Sequence, residues 1–259
     1  MSVFGTYEWA VKNFNIVSGC SHNCKYCYSK EMAIRFKRKS PDSWKNEELL
    51  ISNGRIGKVN GQVMFPSTHD ITPDNIDLSI KAIANILKFS NKILIVSKPH
   101  LSCISRICND FQNYKDNILF RFSIGSSNDS ILKFWEENAP LFNERLESLR
   151  FAYNNGFKTS VSCEPMLDNK IENVIELVLP YVTDSVWIGK INFLIRRLKI
   201  NGYSDKETLY KANQLLEWQK DENIYDLYDR YKDNPLIKWK ESIKKVLKIE
   251  IPIKKGLDT

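Results

Sequence analysis

Apolar and polar positions follow two rhythms along most of this chain. Short, nearly continuous apolar runs stand at 15–18, 62–65, 92–97, 117–124, 158–163 and 184–188, and each reads as a buried strand. Between them the apolar positions recur with helical spacing. Residues 29–40 read as a helix stopped by Pro41, and 74–89 carry Ile76, Ile80, Ile83, Ala84 and Leu87 on one face. Shorter helices are predicted near 102–112 and 170–179, and a long one over 129–155 closes on the C-cap signal Asn154-Asn155-Gly156. Residues 41–60 are polar and glycine-containing, and read as an insertion or long loop. Strand and helix thus alternate six times, which argues for a parallel sheet covered by helices. After about residue 196 the alternation stops. Residues 205–248 then look helical, with Trp218, Trp239 and many charges, and no internal repeat is evident.

Length and composition change this picture little. The 259 residues suffice for one large α/β domain or a barrel with an appendage, and 42% hydrophobic residues allow a substantial core. No apolar run approaches the ~20 residues of a membrane helix, and the start of the chain shows no signal-peptide pattern. A cytoplasmic protein without a membrane partner is expected. The net charge of +7 is compatible with a polyanionic partner, but a solvated basic surface gives the same number. Arg35, Lys37, Arg38 and Lys39 concentrate some of that charge close to the cysteine loop described next.

Three of the six cysteines stand in one short stretch, Cys20-Ser21-His22-Asn23-Cys24-Lys25-Tyr26-Cys27, at a C-x3-C-x2-C spacing. Thiolates so placed suit an inorganic cluster, and six cysteines used this way point to a reducing compartment. Clusters usually take four cysteines, so three would leave one iron open to another ligand. A zinc loop that borrows His22 or Cys163 is the alternative reading, and a disulfide framework is a poorer one. The pattern, with the aromatic Tyr26 just before the last cysteine, resembles the signature of the radical S-adenosylmethionine (SAM) enzymes. That resemblance implies an α/β fold, a partial (β/α)6 TIM-type barrel over residues 1–195 with a helical C-terminal extension over 196–259. It implies a [4Fe–4S] cluster on Cys20, Cys24 and Cys27, with SAM on the open iron. It further implies reductive cleavage of SAM to a 5′-deoxyadenosyl radical, fed by an electron donor such as flavodoxin or ferredoxin.

The remaining candidates sit at the C-terminal ends of the predicted strands, where barrels of this kind gather their chemistry. Tyr26 is expected beside the adenine of SAM. Ser67, Thr68 and Asp70, in Ser67-Thr68-His69-Asp70, take the place of the family's glycine-rich motif for the amino group of SAM, and His69 reads as structural. Lys98 is a candidate partner for the carboxylate of SAM. Ser123, before Gly125, offers a hydroxyl to the cofactor, and Glu164 is expected to point into the site. Cys163 is expected to face the barrel interior, where its thiol would return a hydrogen atom to a substrate radical. Cys103 and Cys108 read as buried structural residues rather than ligands of a second cluster. The stretches around the cysteines, Ser67–Asp70 and Ser162-Cys163-Glu164-Pro165-Met166-Leu167 together resemble spore photoproduct lyase-like radical SAM proteins and a phage-encoded radical SAM group. A nucleic acid or nucleotide is therefore the expected substrate. A peptide-modifying radical SAM enzyme and a non-catalytic zinc- or cluster-binding nucleic-acid module are the alternatives.

Overall fold

A computed structural model describes residues 5–50 and 56–256. Phe4 of the aromatic lead-in and residues 51–55 of the predicted insertion lie outside the described residues. Seven strands form one parallel sheet in strictly sequential spatial order: β1 (Lys12–Asn13), β4 (Gln62–Phe65), β5 (Lys92–Ser97), β6 (Ile118–Ser123), β7 (Lys158–Cys163), β8 (Val186–Ile188) and β9 (Ile237–Trp239). A second, two-stranded sheet pairs β2 (Val17–Ser18) with β3 (Glu48–Leu49) in antiparallel fashion. The helices are α1 (Tyr28–Arg35), α2 (Ile76–Leu87), α3 (Leu101–Asp110), α4 (Asp129–Trp135), α5 (Phe142–Asn154), α6 (Ile171–Val178), α7 (Leu194–Ile200), α8 (Lys206–Trp218), α9 (Asp221–Tyr231) and α10 (Glu241–Leu247). No described helix is long and apolar enough to cross a membrane.

The alternation along each strand sorts its side chains onto two faces. Val63, Phe65, Ile93, Ile95, Phe120, Phe122, Val161, Val186 and Ile188 pack with the helices in one extended core. The other face carries Met64, Leu94, Leu119 and Trp187, closed over by Trp9 and Ala10 from the N-terminal segment. Trp9 and Trp187 meet edge to face, ring centroids 5.6 Å apart. This inner face turns polar toward the C-terminal ends of the strands, where the continuing register of β5 and β7 brings Lys98 and Glu164.

Several elements differ from the sequence expectation. The first core strand is the two-residue β1, not 15–18, whose last two residues leave for the small sheet with β3 inside the predicted insertion. Helix α1 ends at Arg35, because Lys37 already takes a left-handed backbone (φ 55°), well before Pro41. The predicted helix over 129–155 is two helices; Pro140, lacking an N–H, sits in the break between α4 and α5. Its C-terminal signal holds, with Gly156 at φ 76°. Within the region predicted helical, Ile237-Lys238-Trp239 instead extends the sheet as a seventh strand. Ile237 and Trp239 bury against the helix-packed core, and Pro235 precludes a helix running through.

Candidate active site

The cysteine loop runs from β2 to α1 and is fixed at many points. Gly19 turns the chain at φ 104°, and a β-carbon there would stand 2.6 Å from the Asn46 carbonyl oxygen, so only glycine fits. The Cys20 amide donates to the Trp44 carbonyl (3.0 Å), and the Lys25 amide to the Trp135 carbonyl (2.9 Å). Asn201, just after α7, donates to the carbonyls of Lys25 (2.9 Å) and Cys27 (3.0 Å). Cys27 caps α1, its sulfur accepting from the Lys30 amide at 3.4 Å. Cys20 and Cys24 are buried, and Cys27 is partly so. Burial first, then the neighbouring Asp70, Cys24 and Cys27, pushes the Cys20 thiol well above its usual range. Burial likewise raises Cys24 and Cys27, against the pull of Lys98.

Behind the loop lies a buried charge network that sequence reasoning saw only in part. Asp70 accepts from the Lys98 amide (2.7 Å), from the Ser97 hydroxyl (3.1 Å) and from His22 Nδ1 (2.9 Å), and the Lys98 ammonium stands 3.6 Å away. Burial alone would raise the Asp70 carboxyl, but Lys98 and His22 hold it well below the usual carboxylate range. Lys98 also reaches Glu136 at 4.0 Å, and Tyr26 donates its hydroxyl to the same carboxylate. Arg145, fully buried, closes the network: it donates to Glu136 at 2.5 Å, to the Pro140 carbonyl at 2.7 Å and to the Ser123 carbonyl at 3.0 Å. Cys20, His22 and Asp70 each place a ligand atom within 4.8 Å of the others. His22 Nε2 stands 2.9 Å from His100 Nε2.

The predicted cofactor residues divide by what they already hold. Lys98 and Asp70 are mutually paired, and the Lys98 ammonium stands between two protein carboxylates, Asp70 and Glu136. Tyr26 is buried and engaged with Glu136. Ser67 and Thr68 are bound by Asn15, whose carbonyl oxygen accepts from their amides at 2.7 and 3.0 Å. His69 is structural: Nε2 accepts from the Ile16 amide (3.3 Å), Nδ1 faces the Asp70 carbonyl (3.0 Å), and burial lowers its pKa. Ser123 and Glu164 lie at the ends of β6 and β7 on the inner face. Gly125 lets the two ends approach, because a β-carbon there would meet the Pro165 carbonyl oxygen at 2.5 Å. Glu164 keeps 27% of its side chain exposed and sits 3.4 Å from Lys240, itself 1% exposed and held at 2.8 Å by Glu8.

Cys163 is placed otherwise than expected. It is fully buried in the helix-packed core, on the same side of β7 as Val161 and opposite Ser160 and Ser162. Odd positions of β7 face the helices, so the thiol points away from the inner face and from Glu164. Cys103 and Cys108 lie in the same core. Sequence reasoning also missed Glu136, Arg145 and Lys240. Pro140 was the available signal for the first two, since it breaks the helix that leaves Glu136 beside Tyr26; nothing local marked Lys240.

Known proteins place this arrangement. The sequence profile of the radical SAM superfamily matches residues 14–178. An uncharacterized protein of Acidianus two-tailed virus, ORF301, is 27% identical over 195 residues, 68% of this chain and 63% of its own length. The uncharacterized protein MJ0683 of Methanocaldococcus jannaschii is 27% identical over 161 residues, 60% of each chain. The chain thus spans about three-fifths of the length of these relatives. Among solved structures, spore photoproduct lyase with a dinucleoside spore photoproduct superposes with a TM-score of 0.55 at 16% identity, over 86% of this chain and 74% of the other. SuiB of Streptococcus suis bound to S-adenosylmethionine gives 0.54 at 12% identity, over 95% of this chain and 54% of the other. At such identities these structures show a shared fold, the partial barrel. From the profile match, the chain belongs to the radical SAM superfamily, enzymes that use a [4Fe–4S] cluster and SAM.

Proposed function

We propose that Cys20, Cys24 and Cys27 hold the [4Fe–4S] cluster and that the enzyme acts on a nucleic acid. The observation that carries the first part is the donor set. Three thiols meet on one loop whose backbone is tied at both ends, in surroundings that oppose each thiolate unless a metal takes up its charge. The residues present fit the cluster, since thiolate sulfur suits Fe–S chemistry and three ligands leave one coordination position for SAM. When bound and reduced, cluster and SAM together supply a 5′-deoxyadenosyl radical that abstracts hydrogen from the substrate.

The chain's own part is to bind, orient and keep water out. The Lys98 ammonium, beside Cys24 and Cys27, offsets thiolate charge; Asp70 and Glu136 fix Lys98 there. Tyr26, Thr68, Ser123 and Glu164 form the proposed SAM wall. Of these Glu164 has the freest charge, a carboxylate suited to the ammonium group of SAM, with Lys240 holding it in place. An electron donor such as flavodoxin or ferredoxin is part of the same proposal. The nucleic-acid substrate is supported by the net charge of +7 and by the fold shared with spore photoproduct lyase bound to a dinucleoside lesion. A peptide substrate, as in SuiB with its precursor peptide, is the second reading.

Glu164→Gln removes the charge and keeps the shape. SAM affinity of the anaerobically reconstituted variant, read by calorimetry, is expected to fall by about 1–3 kcal/mol. Unchanged affinity would assign Glu164 to Lys240 alone. Turnover of an oligonucleotide panel against a peptide panel, read by mass spectrometry, tests the substrate class; a modified peptide with no modified oligonucleotide would overturn the nucleic-acid reading.

A further inference from the structure

We infer that Arg35, Arg196, Arg197 and Phe193 form the face that holds the backbone and a base of a single-stranded nucleic acid at the mouth of the site. This rests on the nucleic-acid reading above and gives it a location. The face begins with Glu31 of α1, 3% exposed, around which three guanidinium groups gather: Arg196 at 3.1 Å, Arg35 at 3.5 Å and Arg197 at 3.6 Å. One arginine suffices to neutralise one buried carboxylate, so this cluster carries a surplus of positive charge that folding does not require. Arg35 and Arg196 hold that surplus at the surface, about half exposed. Arg197 is withdrawn to 20% exposure, with its Nε turned to the Glu31 carboxylate, and anchors the cluster from below.

The placement favours substrate over chance. Burial, which lowers the Arg197 pKa, is opposed by Glu31, then Cys27, then Glu164, so the guanidinium lies within electrostatic reach of both the cysteine loop and the end of β7. The face is also tied to the loop mechanically. Cys27 caps α1, and Asn201 at the end of α7 holds the carbonyls of Lys25 and Cys27. Phe193, just before α7, takes a left-handed backbone (φ 56°) and still leaves 64% of itself in water, with the Arg196 guanidinium 4.5 Å over its ring. Such a backbone is costly for a bulky residue and here gains no burial. It holds a flat ring out beside the arginines. Phosphate-pairing cations next to a stacking ring are the means by which proteins grip single strands.

The test uses the reconstituted 259-residue protein and a labelled oligothymidylate of about twelve nucleotides, with binding followed by fluorescence anisotropy across a salt series. Arg35→Ala/Arg196→Ala is expected to weaken binding at least tenfold at low salt and to flatten the log–log salt slope by about 1.4, two contacts at ~0.7 each. Phe193→Ala is expected to weaken it roughly fivefold or more, with the slope unchanged. SAM affinity stays at the wild-type value in both. The control Lys232→Ala/Lys238→Ala, which removes two charges elsewhere, is expected to change little. Wild-type protein that binds no oligonucleotide would overturn the nucleic-acid reading itself. Wild-type binding with unaffected variants, or with equal loss in the control, would overturn this face and leave that reading standing. So would a loss of SAM affinity in the arginine variant, which would assign the arginines to the cofactor.

Discussion

Changing Cys20, Cys24 or Cys27 to alanine, one at a time, is expected to give a folded protein that retains no iron–sulfur cluster. The remaining cysteines cannot substitute. Cys103, Cys108 and Cys163 are buried in the helix-packed core, away from the inner face. On the proposed ligand set, three thiolates for a four-iron cluster and one position for SAM, there is no redundancy. The fold itself should survive, because the loop is held by backbone and by Asn201 rather than by sulfur; Cys27→Ala loses only a helix cap, about 1 kcal/mol. Cys20→Ala is the most instructive of the three, since His22 and Asp70 lie beside that sulfur. Their harder nitrogen and oxygen suit zinc better than a cluster. Iron and sulfide near background in all three variants are predicted. Near-full iron in any one would remove that cysteine from the ligand set.

The second large effect concerns stability. Glu136→Ala leaves Arg145 fully buried without its carboxylate and strips Lys98 and Tyr26 of a partner. Removing one member of a buried pair typically costs about 3–5 kcal/mol, and urea unfolding of the cluster-free protein should show a loss of that size. The pH dependence has a definite sign. Burial raises the Glu136 carboxyl, but Arg145 and then Lys98 outweigh it, so the folded pKa lies below the ordinary value. Its contribution is therefore complete above the unfolded pKa, about 4.3, and is lost as the pH falls through the folded one. Wild type and variant should thus converge on acidification. A loss below about 1 kcal/mol at neutral pH would show that solvent or a neighbouring carboxylate takes over the role of Glu136.

Much of the architecture was legible because strands buried on both faces read as continuous apolar runs, and five of the six predicted strands stand in the sheet. The two ends of the sheet were not legible. Strand β1 has two residues, too few to show a period, and β9 is short and lies among charged helices. The cysteine loop and its aromatic were plain from spacing alone. Lys98, Asp70 and Glu164 were legible as residues at strand ends, but their partners were not. Glu136, Arg145 and Lys240 come from a helix break, a helix and the seventh strand's end, and only the fold joins them. Cys163 shows how a one-residue difference on a strand reverses a conclusion: Cys163 packs with the helices, and its neighbour Glu164 continues the opposite, inner face.

The decisive readout is 5′-deoxyadenosine released from SAM by the anaerobically reconstituted, dithionite-reduced protein, with and without a single-stranded oligonucleotide. Release is expected to require reductant and all three loop cysteines and to rise with the oligonucleotide. A protein that takes up zinc in place of iron and sulfide, and releases none under either condition, would contradict it.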